Sequence, residues 1–342
     1  MLAAVLTRFG GVDALEVREV ATPSPGPGEV LVDVAAAGVN NTDVWTRQGA
    51  YGRSEPSGWL GPVDFPRIQG ADVCGYVAAT GEGVDPARRG QRVLVDPVLR
   101  YSDGPEPLVA EVLGSEADGA YAEHVLVQAD RAHDVTGSPL TDVELACLPI
   151  SSGTAIGMLD RAAVHAGQTV LVTGASGGVG LGLVSLAAGR GARVIALSSA
   201  DKADAVRAAG ADEVLDRRAG DVGRRLSELV PAGVDVVADV VGGGVLTGLL
   251  PQVRAGGRWV VAGSLAGPVI ELDLRTLYLR SLALLGSTMH TPAQFALLVE
   301  AARRGDVRPV VAATYPLTEI HAAHTRFERR EQVGKIVLLP RP

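Results

Sequence analysis

From about residue 141 onward, short apolar runs alternate with segments whose apolar residues recur at helical spacing. The runs predict strands at 169–174, 193–198, 213–216, 234–241 and 257–263, with helices near 178–189, 201–209, 221–230 and 244–253. Helical segments flank 149–164. Such alternation marks a doubly wound parallel sheet. Residues 1–135 follow a different rhythm: strands at 30–35, 74–78, 92–96 and 123–127 lie between Gly/Pro turns, so this part reads as β-rich. Two long loops interrupt it, 51–64 carrying Trp59 and the acidic stretch 99–118. After Gly286, helices at 292–304 and 317–331 and a strand at 335–339 return to the first domain. The chain is therefore expected to be an α/β protein of two domains, 1–151 with 291–342, and 152–290.

The first strand of the alternating part runs into Val170-Leu-Val-Thr-Gly-Ala-Ser-Gly-Gly-Val-Gly180 and then a helix. Strand, glycine turn and helix start together grip a dinucleotide pyrophosphate: backbone N–H groups and the macrodipole both face the anion. In Ala175-x-Gly177-x-x-Gly180, Gly177 admits the pyrophosphate and Gly180 lets the helix pack on the strand. Ala175, Ser176, Gly178 and Val179 complete the turn. An NAD-binding chain places Asp or Glu at the tip of the next strand to bond the ribose 2′-OH. Here Arg193-Val-Ile-Ala-Leu197 is followed by Ser198, Ser199, Ala200, Asp201 and Lys202, with no carboxylate at the tip. Hydroxyls and a cation suit a 2′-phosphate, with Arg217 as a second cation, so NADP(H) is expected. Asp201 lies near enough to oppose this by swinging inward. Val240 and Val241 end a later strand and either flank the adenine or ribose or pack in the core. Gly263 and Ser264 end the next and face the nicotinamide half. Thr154 either caps its helix or approaches the nicotinamide.

Composition narrows the class. The chain has 342 residues, 47% of them apolar and 20% charged, so it can build a sizeable core. A net charge of -8 without a basic cluster disfavours nucleic acid as a partner. Cys74 and Cys147 form no CxxC pair and read as reduced structural thiols of a cytoplasmic protein. No apolar stretch approaches a membrane span, and none resembles a leader.

Several segments, in order along nearly the whole chain, resemble the medium-chain dehydrogenase/reductase superfamily, and within it the zinc-independent quinone oxidoreductases related to zeta-crystallin. They are Ala36-Ala-Gly-Val-Asn-Asn-Thr-Asp43, Arg47-Gln-Gly-Ala-Tyr51, Phe65-Pro-Arg-Ile-Gln-Gly-Ala-Asp72, Asp118-Gly-Ala-Tyr-Ala-Glu123, the glycine turn, Ala208-Ala-Gly-Ala-Asp212 and Gly334-Lys-Ile-Val337. The resemblance implies a GroES-like β-rich catalytic domain, a Rossmann cofactor domain and Lys335 among the cofactor-binding residues. The zinc branch holds its catalytic metal with Cys, His and Cys. Asn40, Ala71 and Ile150 stand at those places here, and none replaces a thiolate or imidazole. His321 and His324 share a helix face but lack a third partner, so no metal is expected. Without a Lewis acid, acceptors that are already electrophilic are favoured, quinones and α,β-unsaturated carbonyls, with negative charge stabilised by hydrogen-bond donors. The resemblance places Asn40 near the nicotinamide as one donor and Tyr51 as another. Trp45 stands where many relatives carry tyrosine.

The leading expectation is an NADPH-dependent reductase of quinones or enones. An enoyl-thioester reductase and a non-catalytic NADPH-binding sensor or structural protein are the alternatives. Segments 269–274 and 281–285 read as an exposed edge strand and the strand after it. In the resembling family these join across a two-fold, which implies a homodimer.

Overall fold

The computed structural model describes residues 1–51, 63–103 and 108–341, and Trp59 falls outside them. The chain forms two compact units, Met1–Ser151 with Thr291–Pro342, and Ser152–His290.

The second unit is built on six parallel strands. In spatial order they are Glu213–Asp216, Arg193–Ser198, Thr169–Val172, Val234–Asp239, Val253–Val261 and Ala283–Gly286. Numbered by their order in the unit this is 3-2-1-4-5-6, the Rossmann arrangement. The central strands are apolar on both faces because helices cover both sides of such a sheet. Leu171, Ile195, Val237 and Trp259 anchor one side of the core.

The first unit is mostly antiparallel. A seven-stranded sheet contains Ala132–Asp134, Arg92–Val95, Asp72–Thr80, Glu29–Gly38, Lys335–Leu339 and Val311–Pro316 in that order, and His124–Gln128 also pairs with Glu29–Gly38. One edge of Glu29–Gly38 pairs along its length with Asp72–Thr80. Its other edge is shared: residues 29–33 pair with His124–Gln128, and Ala37 and Gly38 with Lys335–Leu339. A smaller sheet joins Leu15–Glu19, Leu2–Leu6 and Arg67–Ile68. Helix Pro292–Arg304 starts at a capping box, in which Thr291 and Gln294 each accept the other's backbone N–H, and stops at Gly305 with φ 74°; a last helix, Ile320–Arg329, follows it.

Four details differ from the sequence pattern. The acidic stretch expected to be a loop holds two paired strands, Val98–Tyr101 and Val109–Val112. Residues 269–273 form no strand; Asp273 instead caps the short helix Leu274–Tyr278 by accepting the Arg275 N–H. The edge of the sheet is Ala283–Gly286. Residues 41–48, read only as a motif, form a helix ended by Gly49 with φ 75°. No helix among the described residues is long and apolar enough to cross a membrane.

Two glycines of the turn differ in what surrounds them. A Cβ on Gly180 would stand 2.2 Å from the Gly174 carbonyl oxygen and 2.7 Å from Ala175 Cα, so helix Gly178–Gly189 can approach its strand only without one. Gly180→Ala is expected to cost about 1–3 kcal/mol in urea unfolding by overpacking. Gly189→Ala, with nothing within 4 Å of the added carbon, should be neutral or stabilising. Equal unfolding midpoints for the two variants would contradict this packing.

Candidate active site

In the second unit, the carboxyl ends of the strands bring most of the expected cofactor residues onto one rim. Gly177 is exposed and ends the turn as the N-cap of helix Gly178–Gly189, whose first N–H groups have no intrahelical acceptor. A Cβ there would meet only the Gly174 oxygen at 3.6 Å, which leaves space for an approaching anion. Gly174, at φ 57°, lies against Val240 and Val241: a Cβ on it would be 2.8 Å and 3.2 Å from their Cγ2 atoms. Gly263 backs onto the Val240 carbonyl, and Ser264 stands beside Gly242. Ala175 N–H donates to the Leu197 carbonyl at 3.3 Å, tying the turn to the strand that ends at Ser198.

The motif reading missed what holds this rim together. Asp239 is fully buried. Its Oδ1 accepts Thr173 Oγ1 at 2.5 Å, Val241 N–H at 2.8 Å and Gly242 N–H at 3.1 Å, while Oδ2 accepts Trp259 Nε1 at 3.1 Å. Thr173 Oγ1 in turn accepts Val240 N–H at 3.1 Å. The carboxylate thus replaces its lost hydration with four donors and fixes the loop that carries both valines. A buried Asp just before two valines and a glycine was the available signal.

The second-strand tip is polar and cationic. Ser198 Oγ is buried without a hydrogen-bond partner, and the Ser198 carbonyl accepts Arg217 N–H at 2.8 Å. Lys202, Arg217 and Arg218 stand here in segments that also hold Asp201, Asp204 and Asp216. The Ser199 hydroxyl, then Lys202 and Arg218, hold the exposed Asp201 carboxyl below its usual range. Arg218 was not anticipated. Thr154 lies in the second turn of helix Pro149–Arg161, so it does not cap that helix.

The first unit gathers a buried polar cluster. Asp72 accepts the Ile150 N–H on Oδ1 at 2.7 Å, and Asn40 Nδ2 and Lys335 Nζ on Oδ2 at 2.9 and 2.8 Å. Lys335 also donates to Val39 O and Asn40 Oδ1. All three ammonium N–H groups of Lys335, expected among the cofactor-binding residues, are therefore engaged within the cluster. Asn40, expected as a donor to the substrate, is engaged in the same way. One amide N–H goes to Asp72 and the other reaches Gly38 O at 3.4 Å, so the amide is held inside the cluster rather than offered to a substrate oxygen. Gly38 makes room for Asp72, whose Oδ2 would stand 2.6 Å from a Cβ.

Asp43 borders this group. Its Oδ2 accepts the Asn40 N–H and the Tyr121 hydroxyl, both at 2.8 Å. Burial, reinforced by the Asp72 charge, pushes its carboxyl up to about 7 against the pull of these hydrogen bonds. Burial also keeps the Tyr121 hydroxyl protonated. Nearby, His324 packs edge-on to Tyr121 with ring centroids 5.7 Å apart, and burial plus the Arg47 charge push its imidazole down to about 3. His321 turns elsewhere, to the Leu15 carbonyl at 2.7 Å. Among the described residues no three His, Cys, Asp or Glu side chains group to hold a metal ion. Tyr51 is half-buried, stacked edge-on against Trp45 with centroids 5.5 Å apart, and burial pushes its phenol up to about 12.

The Asp43 shift sets a pH dependence. Folding favours its protonated form, so its stabilising contribution is complete below 3.8 and disappears as pH rises toward about 7. His324 acts oppositely, its contribution being present above 6.5 and lost toward about 3. Asp43→Asn keeps an acceptor for Asn40 and Tyr121 but cannot ionise. Urea unfolding at pH 5 and pH 8 should show the wild type losing stability relative to this variant at the higher pH; parallel profiles would contradict it.

Comparison with known proteins agrees with both halves of the chain. Residues 26–137 match the alcohol dehydrogenase GroES-like domain, and residues 178–304 match the zinc-binding dehydrogenase family. Acryloyl-coenzyme A reductase of Metallosphaera sedula is 31% identical over 96% of this chain and 97% of its own. Quinone oxidoreductase of Lama guanicoe is 29% identical over 99% of this chain and 97% of its own. A crystal structure from Sinorhizobium meliloti, provisionally described as an alcohol dehydrogenase, superposes with a TM-score of 0.93 at 43% identity, covering 100% of this chain and 97% of that one. With a Rossmann sheet, a GroES-like partner domain and relatives aligned over nearly its whole length, the chain belongs to the medium-chain dehydrogenase/reductase superfamily of oxidoreductases.

Proposed function

We propose that this protein is a zinc-independent, NADPH-dependent reductase of quinones or other α,β-unsaturated carbonyls. The observation that carries it is the cluster around Asn40. The zinc-binding family name implies a metal, yet the places read as metal-ligating in that branch hold an amide, a methyl and a sec-butyl side chain, Asn40, Ala71 and Ile150. The amide lies against the Lys335 ammonium, which repels a second cation. The donor set does not fit zinc.

The rim of the second unit fits a dinucleotide. Gly177 and the helix start would face the pyrophosphate. Ser198 Oγ, Lys202, Arg217 and Arg218 favour a 2′-phosphate. Bound NADPH supplies a hydride to the electron-poor carbon of the acceptor. The chain's own task is to stabilise the charge that develops on the acceptor oxygen. Tyr51, protonated up to about 12, is the donor we assign to it. The similarity to an acryloyl-coenzyme A reductase favours, as a second reading, an enoyl thioester as the acceptor.

Oxidation of NADPH against a panel of quinones, enones, enoyl thioesters and aldehydes tests this. Turnover of conjugated acceptors with NADPH above NADH is expected, unaffected by chelators. Tyr51→Phe should lower kcat/KM by roughly 10²-fold. Tight NADPH binding without turnover of any acceptor would instead favour the sensor role.

We also propose a homodimer. Ala283–Gly286 leaves a sheet edge open, and Val269, Leu274, Tyr278, Leu279 and Leu284 near it in sequence are exposed. Light scattering should give about twice the 35.2 kDa chain mass, and Leu284→Arg should reduce it. A monomeric wild type would refute the assembly.

A further inference from the structure

We infer that Lys335 is a positioning residue: its ammonium is a built-in cation that fixes the Val39–Asn40 backbone, and through it the helix Asn41–Gln48 and Tyr51 beyond.

Lys335 lies 295 residues from Asn40 and 263 from Asp72 in sequence, yet bonds both. It is 4% exposed and Asp72 is fully buried. Burying such a pair costs several kcal/mol per ion unless nearly every donor and acceptor finds a partner. Here that condition holds. The ammonium gives its three N–H groups to three oxygens, and the Asp72 carboxylate receives three donors. A lone hydrocarbon anchor at residue 335 would hold the strand in the sheet but would not orient the Asn40 amide. Oδ1 faces the cation and Nδ2 the carboxylate, so the ion pair dictates which way round the amide sits.

The position of Asn40 matters because it is the N-cap of helix Asn41–Gln48. Its own N–H is tied to Asp43 in the first turn. The helix carries Trp45, against whose ring Tyr51 stacks just past the Gly49 stop. Val39, held by Lys335, and Asn40 therefore set where the helix starts, and the helix sets where the phenol stands. The ammonium contacts Asp72 and not Asp43, whose carboxyl burial raises to about 7, the Asp72 charge adding to the rise and the Lys335 charge opposing it. Cys147 and Tyr121, both kept protonated by burial, also face this cluster, with Glu144 acting on Cys147, Arg47 on Tyr121, and His324 packed against the Tyr121 ring.

This role rests on Tyr51 being the donor proposed above, and a double-mutant cycle separates the two. Lys335→Met is made alone and together with Asp72→Asn, which removes both charges and preserves folding should the single change fail. Each is combined with Tyr51→Phe. Removing the ammonium is expected to lower kcat roughly 10- to 100-fold with little change in KM. In the Tyr51→Phe background it should cost almost nothing further, because the phenol it positions is gone. The kcat pH profile should also change, since Asp43 no longer has a cation-bound neighbour, a response that simple loosening of the strand would not give. If Tyr51→Phe alone has no effect, the assigned donor is wrong. If it lowers kcat but the Lys335 effect multiplies fully with it, Lys335 does not act through Tyr51. Loss of substrate affinity with kcat unchanged would equally overturn the role.

Discussion

Each unit of this protein buries a carboxylate, and desolvation governs what surrounds it. A buried ionised oxygen without partners is too costly to persist. In the Rossmann unit, Asp239 meets that demand with neutral donors, and satisfying them shapes the loop beside the glycine turn. In the GroES-like unit, Asp72 meets it with a cation, an amide and the N–H of Ile150 in the first turn of a helix. Backbone that would otherwise wander is pinned in both places, so local order around the candidate sites follows from the electrostatics of two side chains.

The parallel sheet was legible because its central strands are apolar on both faces, which gives unbroken Val/Leu/Ile runs separated by helical periodicity. The first unit was harder to read. Val98–Tyr101 pairs with Val109–Val112 across a register irregularity, and the acidic composition around them reads as loop. Residues 269–273 alternate like a strand, but an Asp followed by Leu-Arg-Thr started a helix there instead. Alternation alone does not distinguish an edge strand from an extended coil.

The glycine turn announces itself in sequence because its requirements are local: Gly180 is needed within a few residues of the atoms it would strike. The roles of Asn40 and Lys335 were not legible, because each depends on a partner hundreds of positions away. The family resemblance implied an amide near the nicotinamide, and packing engages that amide with its neighbours. Asp43 was likewise invisible as a titrating group, since burial, with the Asp72 charge beside it, lifts its carboxyl.

The shared edge of strand Glu29–Gly38 bears on how the chain is made. Its far end pairs with Lys335–Leu339, a strand made only after the whole of residues 152–290. Residues 152–290 form a contiguous unit, complete before that strand exists. The first unit, although begun earliest, is finished last. During synthesis its central strand waits with one edge of Ala37 and Gly38 uncovered and Asp72 without its cation. Between the two units, order of synthesis and order of completion are thus reversed.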